Sequence, residues 1–390
     1  MPVINRIAEF APEMAAWRQD LHRHPELGLE EVRTSGLLQQ RLRDFGVDEI
    51  ITGMAKTGVV GVIRGRGAGE AIGLRADIDA LPIQEESGKD YASENPGVMH
   101  ACGHDGHTTM LLGAAKYLAE TRNFDGTVYV IFQPGEEHFA GGEKMVNEGL
   151  FDRCPMRMVF GMHNWPAAPA GTFLWRKGPI MAATSIIDIT VTGKGSHGAQ
   201  PERGVDPIVV AAQIVCALQT IVSRGIEPTE GGVVTIGQFT GGDAFNVIPD
   251  KVRMRGTARW FAPEVGDRLE AGVRRLATGI AESFGARAEV EFFRQYPATI
   301  NDAAATDLAM KAAQTVAGEA RVVEMPKPTM GGEDFSFMLN AKQGSYLMLG
   351  TNRGNDAMLH QPKYDFNDEM LAVGASYWAT LTEQFLARKG

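Results

Sequence analysis

The chain has 390 residues, of which 44% are hydrophobic and 22% are charged, and its formal net charge is -10. Its length exceeds that of a typical single domain, and its composition is that of a globular protein with enough apolar residues for more than one core. The acidic balance argues against nucleic acid or an anionic membrane surface as the main partner, because both attract basic patches, so small solutes are the favoured ligands.

The N-terminal segment carries charges every few positions and predicts an amphipathic helix instead of a signal peptide. The longest apolar run, "PIVVAAQIVCALQTIV", contains two glutamines and is shorter than the roughly 20 residues that a membrane span needs. Cys102, Cys154 and Cys216 are odd in number and far apart, which favours a reducing compartment over a disulfide framework. We therefore expect a cytoplasmic protein that spans no membrane.

The first part of the chain, residues 1–183, alternates strand patterns with helical ones. Strand-like runs cover 71–78 and 127–134, and a helical pattern covers 108–120 between them. This order predicts an α/β layer with a largely parallel sheet. Ligands are expected at the carboxyl ends of its strands.

Residues 184–297 show a different pattern, with strands in the order βαββαβ and helices over 206–223 and 263–283. This order is typical of a ferredoxin-like domain. Helix and strand segments resume over 298–390. The simplest interpretation is a catalytic domain made of the first and last parts, interrupted by an inserted domain.

The stretch "HACGHDGH", residues 100–107, contains the first candidate ligands. Cys102 and His104 lie two residues apart, just before a helix predicted to start near Asp105 to Thr108, so both can point into one pocket. Asp105 could instead cap that helix while the histidines pack nearby. Cysteine and histidine together favour a metal site over a cap.

A second candidate stretch is "FQPGEEHFAGGEKM", in which Glu136 and Glu137 follow the strand-like run. Adjacent carboxylates point in different directions, so one can bind a metal while the other acts as a base towards water. The pair could also be a solvated acidic turn. Its position after a run that reads as a buried strand favours the functional interpretation.

Two histidines lie far apart in the chain, His163 in "MVFGMHNWPAAPAG" and His360 in "MLHQPKYDFNDEM". Either one alone is more often a structural residue than a ligand. Together with Cys102, His104 and Glu137 they supply enough ligands for two metal ions that share a bridge.

His197 lies in the glycine-rich stretch "TGKGSHGAQPERG" of the inserted domain. It can join the metal site only if that domain folds over it. It is either a donor to the substrate or an oxyanion, or a histidine of a surface turn.

These segments, in this order, resemble the M20 metallopeptidase and amidohydrolase family, in the branch with hippurate hydrolases, N-acyl-amino-acid amidohydrolases and auxin-conjugate hydrolases. The resemblance covers nearly the whole chain. It is carried by "LHRHPELGLEE", "LRADIDALPIQE", "HACGHDGH", "FQPGEE", "GMHNWP", "GKGSHGAQP", "AFNVIPD", "MGGEDFSFM" and "LHQPKYDFNDE". It implies a mixed-sheet, zinc-peptidase-like α/β catalytic domain interrupted by a ferredoxin-like dimerisation (lid) domain.

By this resemblance the site binds two divalent ions per subunit, and Cys102 bridges them. His104 and His163 would complete the coordination of one ion, and Glu137 and His360 that of the other. Glu136 would be the general base, which deprotonates the attacking water and passes the proton to the leaving amine.

The resemblance also implies a homodimer, or a homotetramer, formed through the inserted domain. His197 would reach the active site of the partner subunit and stabilise the oxyanion. Asn246 of "FNVIP" would contact substrate, and Arg255 would meet the carboxylate of the amino-acid product.

The chain departs from the wider family at "DIDALP", where Asp77 stands in place of the histidine of an H-x-D-x-x-P motif and Asp79 is retained. Asp77 is therefore not expected to be a ligand, and the resemblance implies that Cys102 takes the place of a bridging aspartate. A thiolate bridge suits zinc, whereas imidazole and carboxylate also admit manganese, cobalt or nickel. Asp105 and His107 would orient a ligand or the start of the helix.

The predicted function is metal-dependent hydrolysis of N-acyl amino acids, with hippurate-like or acetyl substrates, to a carboxylate and an amino acid. An alternative on the same site is a dipeptidase or an N-acyl-diamino-acid deacylase. A different enzyme class is a thiol hydrolase with Cys102 as the nucleophile. A non-enzymatic metal-binding or interaction protein is the fourth interpretation.

Overall fold

A computed structural model describes residues 3–354 and 356–388. The chain divides into two compact units. The first contains Met1–Ile180, Thr299–Pro328 and Asp334–Gly390, and the second contains Met181–Ala298 and Thr329–Glu333. That residues 1–183 with 298–390, and 184–297, form independent domains stays a prediction.

The helices of the described residues are, in chain order, α1 (Asn5–Arg23), α2 (Val32–Phe45), α3 (His104–Thr121), α4 (Glu136–Phe139), α5 (Gly141–Asn147), α6 (Leu150–Arg153), α7 (Pro207–Gly225), α8 (Pro263–Ser283), α9 (Ala303–Ala317), α10 (Phe335–Ala341) and α11 (Leu371–Phe385). The strands are β1 (Glu49–Met54), β2 (Gly58–Arg64), β3 (Gly67–Asp77), β4 (Asp125–Gln133), β5 (Met158–Pro169), β6 (Phe173–Trp175), β7 (Gly178–Met181), β8 (Ala183–Thr192), β9 (Ser196–His197), β10 (Gly232–Thr240), β11 (Val247–Ile248), β12 (Lys251–Trp260), β13 (Arg287–Arg294), β14 (Thr299–Asn301), β15 (Val322–Glu324) and β16 (Gln343–Asn352).

The first unit is built on an eight-stranded sheet in the order β1-β2-β4-β3-β5-β16-β6-β15. Its centre is parallel, since β3 runs parallel to both β4 and β5, and β5 runs parallel to β16. Antiparallel pairs join β1 to β2 and β2 to β4. The predicted α/β fold with a mixed sheet is confirmed.

Apolar side chains of the central strands and of α3 and α11 form one core. Strand residues such as Leu74, Val130 and Phe160 are fully buried. Helix α11 is buried over most of its length, which explains why its sequence is apolar on nearly every face. This packing places the start of α3 beside the carboxyl ends of the strands.

The parallel arrangement brings chemically active residues to one edge of the sheet. Strand β3 ends at Asp77, paired with Gln133 at the end of β4, so Asp79 and Glu136 both follow strands at the same edge. His163 lies inside β5, just beyond Gly161, the last β5 residue that pairs with β3. The sequence predicts ligands at the carboxyl ends of the strands, and in this sheet the ends of β3 and β4 lie at one edge.

The second unit contains a four-stranded antiparallel sheet in the order β10-β12-β8-β13. Together with α7 and α8 it has the βαββαβ connectivity of a ferredoxin-like fold, as the sequence predicted. Helix α7 is the one described helix long and apolar enough to cross a membrane. Its residues Val210, Ile214 and Leu218 pack into the core of this unit, so α7 is a partly buried core helix.

A buried ionic network attaches α1 to the rest of the first unit. The fully buried Arg18 donates to Asp368 at 2.7 Å and to Asp365 at 3.1 Å. One turn further along α1, His22 Nδ1 lies 2.8 Å from Asp105 Oδ2 and Nε2 lies 3.2 Å from Glu85 Oε1. Although burial disfavours the charged imidazole, its hydrogen bonds to two carboxylates raise the pKa of His22 to about 9.

This pKa predicts how stability depends on pH. Because the folded value lies above the ordinary 6.5, protonated His22 stabilises the fold fully below about pH 6.5 and progressively less as the pH rises through 9. A pKa raised from 6.5 to about 9 corresponds to at most about 3 kcal/mol. We expect the free energy of unfolding, measured by urea denaturation, to decline over this window in the native protein and to decline less in His22→Gln.

The matched control is His24→Gln, since His24 lies on the same segment, is half-buried and has Nδ1 bonded to the Asp20 carbonyl oxygen at 2.8 Å. This variant should keep the pH slope of the native protein. An unchanged slope in His22→Gln would contradict the assignment.

Candidate metal centre

The stretch 100–107 crosses from a loop into the first turn of α3. Cys102 lies in the loop, whereas His104 is the first residue of the helix, so the helix begins one residue earlier than the sequence predicted. Gly103 between them has a φ of 88°. A Cβ there would lie 2.6 Å from Asn164 Oδ1, so only glycine fits this turn.

Asp105 does not cap α3, because no side chain makes a capping hydrogen bond at this helix. Its carboxylate instead contacts His22 and accepts from Gly106 N at 2.9 Å. The alternative interpretation of the stretch as a simple helix cap therefore does not describe this structure.

Three of the predicted ligands form one buried group. Ligand atoms of Cys102, His104 and His163 lie within 4.8 Å of one another, and Cys102 Sγ is 3.3 Å from His163 Nε2. Ligands of a tetrahedral zinc ion lie about 3.5 Å apart, given bonds of about 2.0–2.3 Å. Burial holds the pKa of His163 well below its usual value, so this imidazole is neutral and able to coordinate a cation.

A second group contains Cys102, Glu137 and His360, whose ligand atoms also lie within 4.8 Å of one another. His360 Nε2 is 3.1 Å from Glu137 Oε1. His360 has a φ of 63°, and the Glu137 turn is flanked by left-handed residues Gly135 and His138. His360 thus lies in a loop with a left-handed backbone, and Glu137 lies in the short, irregular helix α4, whose backbone leaves helical geometry at Glu137 and His138. Unusual backbone conformations of this kind are frequent at functional sites.

Cys102 is the member that the two groups share. A thiolate has lone pairs for two cations, and this sulfur belongs to both groups. Burial raises the pKa of the Cys102 thiol, so a deprotonated sulfur here calls for a neighbouring cation. Two ions bridged by this sulfur fit the donor set.

The contacts of His104 supply an independent test of this fit. Its Nδ1 lies 2.9 Å from the Asp79 carbonyl oxygen and 3.2 Å from Asp79 Oδ1. Its Nε2 is buried and has no hydrogen-bond partner among the described residues. A buried nitrogen without a partner is costly, and a metal ion would satisfy it.

Neighbouring polar groups fix the orientation of the ligands. Asp79 Oδ2 accepts from Glu137 N at 2.8 Å, so one carboxylate supports ligands from both groups. His163 Nδ1 lies 2.6 Å from the Asn164 carbonyl oxygen, which leaves Nε2 for a metal. His107 connects Asn164 to Asp77, with its Nδ1 2.6 Å from Asp77 Oδ1.

Asp77 forms a buried ion pair with Arg75. Arg75 Nη1 donates to Asp77 Oδ2 at 2.7 Å, and both side chains are buried. Arg75 thus supplies a charged partner for this carboxylate, although Asp77, His104 and His107 also place ligand atoms within 4.8 Å of one another. That Asp77 is not a ligand stays a prediction.

Glu136, the predicted general base, lies beside the ligands. A carboxylate oxygen of Glu136, one of Glu137 and a ring nitrogen of His104 lie within 4.8 Å of one another. Glu136 is 7% exposed, and its Oε1 accepts from Asp334 N at 3.3 Å. It is thus a buried carboxylate adjacent to the ligand groups and not part of a solvated turn.

His197, Asn246 and Arg255 belong to the second unit. His197 is exposed in the short strand β9 and pairs with Val247. Asn246 is exposed in the segment before β11, where its carbonyl oxygen accepts from Gly198 N at 2.8 Å. Arg255 lies on β12, 3.3 Å from Asp188 on the neighbouring β8. Their roles toward substrate stay predictions.

Sequence reasoning assigned no role to several residues that the structure connects to the site. Asp79 was noted as retained, but its contacts to His104 and Glu137 were not foreseen. Arg75 and Asp334 lie in the quoted segments "LRADIDALPIQE" and "MGGEDFSFM". The signal for Arg75 is a charged residue within the largely apolar run "AIGLRADI", because buried charges need partners.

Known proteins are similar to this chain in fold and in sequence. Residues 73–384 match peptidase family M20/M25/M40. The chain is 40% identical over 386 residues to a hippurate hydrolase of Campylobacter jejuni, covering 99% of this chain and 100% of that protein. It is 38% identical over 373 residues to an N-acetylcysteine deacetylase of Bacillus subtilis, covering 95% and 96% of the two chains. The crystal structure of a dinuclear metal-binding peptidase of the M20 family from Bacillus subtilis has a TM-score of 0.83 at 36% identity, covering 97% of this chain and 99% of that one.

These relatives span both compact units, and the resemblance drawn from the sequence motifs is confirmed. The identities exceed what a shared fold alone would require. The chain belongs to peptidase family M20/M25/M40, as a hydrolase of that family that acts on amide bonds.

Proposed function

We propose that this protein removes an acyl group from the α-nitrogen of an amino acid, with hippurate-like or acetylated amino acids as substrates. The observation that carries the proposal is the sharing of Cys102 by two ligand groups, with the Glu136 carboxylate beside them. Two relatives named for hippurate and N-acetylcysteine support the substrate class.

In this proposal His104 and His163 would hold one divalent ion, Glu137 and His360 would hold the other, and Cys102 would contribute to both. When bound, the ions lower the pKa of water and polarise the acyl carbonyl. Zinc, manganese, nickel and cobalt all suit this donor set.

Glu136 acts as general base and then as general acid. Its carboxylate takes a proton from the attacking water and afterwards donates it to the leaving nitrogen, so that a carboxylate and a free amino acid are released. Burial keeps this carboxylate away from bulk water. Positioned proton transfer of this kind contributes roughly 10²- to 10⁴-fold to the rate.

His197 is proposed to stabilise the oxyanion in the active site of a partner subunit, Asn246 to contact substrate and Arg255 to bind the carboxylate of the amino acid. These roles require a homodimer, or a homotetramer, formed through the second unit. Edge strand β10 and exposed Ile208 and Val209 at the start of α7 support such pairing. Three free cysteines support a cytoplasmic location.

Metal removal provides the first prediction. Dialysis against a chelator should abolish turnover and lower the thermal midpoint, because His104 Nε2 and the Cys102 thiolate lose their partner. Adding back Zn²⁺, Mn²⁺, Co²⁺ or Ni²⁺ should restore both, with two ions per chain by elemental analysis. Metal-free protein that stays active and is inactivated by thiol alkylation would instead support a thiol hydrolase with Cys102 as nucleophile.

Substitution of the base provides the second prediction. Glu136→Gln keeps the size of the side chain and removes the proton acceptor, so kcat should fall by roughly 10²- to 10⁴-fold while metal content stays native. The matched control is Glu143→Gln, a half-buried glutamate on the nearby α5. This control should retain native kcat. Near-native turnover by Glu136→Gln would show that another group is the base.

A substrate panel tests the reaction class itself. Metal-loaded protein should cleave hippurate or N-acetyl amino acids faster than dipeptides or N-acyl diamino acids, measured as kcat/KM by release of the free amine. Cleavage of dipeptides alone would identify a dipeptidase, and cleavage of acylated diamino acids alone would identify a deacylase of that class. Absence of turnover on every member would overturn the proposal.

A further inference from the structure

Glu136 adjoins a cluster of buried polar side chains, namely Arg75, Gln133 and Asp334. The proposed mechanism gives this cluster no role. Arg75 and Asp334 are at most 1% exposed, and Gln133 is fully buried. Arg75 Nη2 donates to Asp334 Oδ1 at 2.9 Å, and Arg75 Nε donates to Gln133 Oε1 at 2.9 Å. Burying such groups is costly unless they are paired. A fully paired network of this kind therefore holds the segments that carry its members in fixed positions.

The Asp334 carboxylate binds both ends of the loop that carries Glu136. On one side it accepts from Nε2 of Gln133, the last residue of β4, at 2.8 and 2.9 Å. On the other side Asp334 Oδ2 accepts from Gly142 N, in the first turn of α5, at 2.7 Å. The loop that carries Glu136 is the connection 134–140 between β4 and α5, which contains the short helix α4. One carboxylate, paired with Arg75, contacts both ends of this connection.

The position of Gly142 shows how closely this contact is built. A Cβ on Gly142 would lie 2.9 Å from the Asp334 carbonyl oxygen and 3.0 Å from Gln133 Oε1. Any side chain would therefore press against both partners. The approach of the Gly142 amide to the carboxylate depends on the absence of a side chain there.

Asp334 also contacts Glu136, the proposed base, directly. The backbone N–H of Asp334 donates to Glu136 Oε1 at 3.3 Å. Asp334 thus holds the catalytic carboxylate through its main chain and holds both ends of the loop through its side chain. A shift of its carboxylate would move the loop and the donor together.

We infer that Asp334, with Arg75 as its counter-ion, is the positioning residue for the general base Glu136. The inference rests on the proposed function, since it assigns Asp334 a role in orienting the proton acceptor of that reaction. Asp334 touches neither substrate nor the reacting atoms in this assignment. Its effect is expected in kcat, because a misplaced base slows proton transfer without removing a substrate contact.

The first test is Asp334→Asn in the metal-loaded protein. The amide group of the variant can turn its own N–H groups toward the Gln133 and Gly142 N–H groups that donate to the carboxylate in the native protein, and Arg75 loses a charged partner. We expect kcat to fall roughly 10- to 100-fold, with KM and the number of bound ions unchanged.

A double-mutant cycle separates positioning of the base from a general structural effect. If Asp334 acts through Glu136, Asp334→Asn should cause no further loss of residual kcat in the Glu136→Gln background. A variant that weakens the fold or the metal site would lower kcat in both backgrounds to the same extent.

Gly142→Ala is the second variant, and it tests the positioning role of Asp334 if Asp334→Asn does not fold. It leaves every charge in place and presses on the Asp334 contact, so it should lower kcat, and this loss should also vanish in the Glu136→Gln background. Asp302→Asn is the control, because Asp302 of the same unit accepts from Ala305 N at 2.8 Å at the start of α9. The control should keep native kcat.

Native kcat in Asp334→Asn or in Gly142→Ala, or equal losses in both backgrounds, would overturn the inference while leaving the proposed function intact. The wild type serves to distinguish the two failures. A wild-type protein that cleaves none of the N-acyl amino acids would overturn the proposed function and the inference together.

Discussion

Burial of charged and polar side chains at the carboxyl edge of the central strands is the constraint on which this structure depends. Each such group must find a partner within the protein, because water cannot supply one. Arg75 meets the requirement for Asp77 and Asp334, and Asp79 meets it for His104 and Glu137. The two pairings bring β3, the turn after β4 and the start of α3 to fixed positions.

The same constraint identifies what the protein does not satisfy by itself. His104 has one ring nitrogen bound to Asp79, while the other is buried without a partner among the described residues. Cys102 is a member of two groups of potential ligands. A cation bound to these ligand atoms would satisfy the unpaired nitrogen, and the carboxylate of Glu136, the proposed base, lies within 4.8 Å of a ring nitrogen of His104.

Much of the fold could be predicted from local pattern. Helices expected over 206–223 and 263–283 are α7 and α8, and the expected run at 127–134 is β4. Such elements are set by periodicity and by turn residues within a short window. The start of α3 was misplaced by one residue because Gly103, with a left-handed backbone, ends the loop immediately before His104.

Fewer of the supporting contacts could be predicted, and Asp334 shows why. It lies 2.9 Å from Arg75, although the two are separated by 259 positions in the chain. Nothing in the local sequence around either residue specifies that distance, because it depends on how β3 and the residue before α10 are brought together in the folded chain.

The sequence by itself determined the family, the order of the secondary structure elements and the residue types available for chemistry, since these follow from local composition and motif spacing. The sharing of Cys102 by two ligand sets was already implied by the resemblance. Only the tertiary structure decided which nitrogen of His104 lacks a hydrogen-bond partner among the described residues, and that Asp334 contacts both ends of the segment that carries Glu136. These features are distances between remote segments, and such distances exist only once the chain has packed.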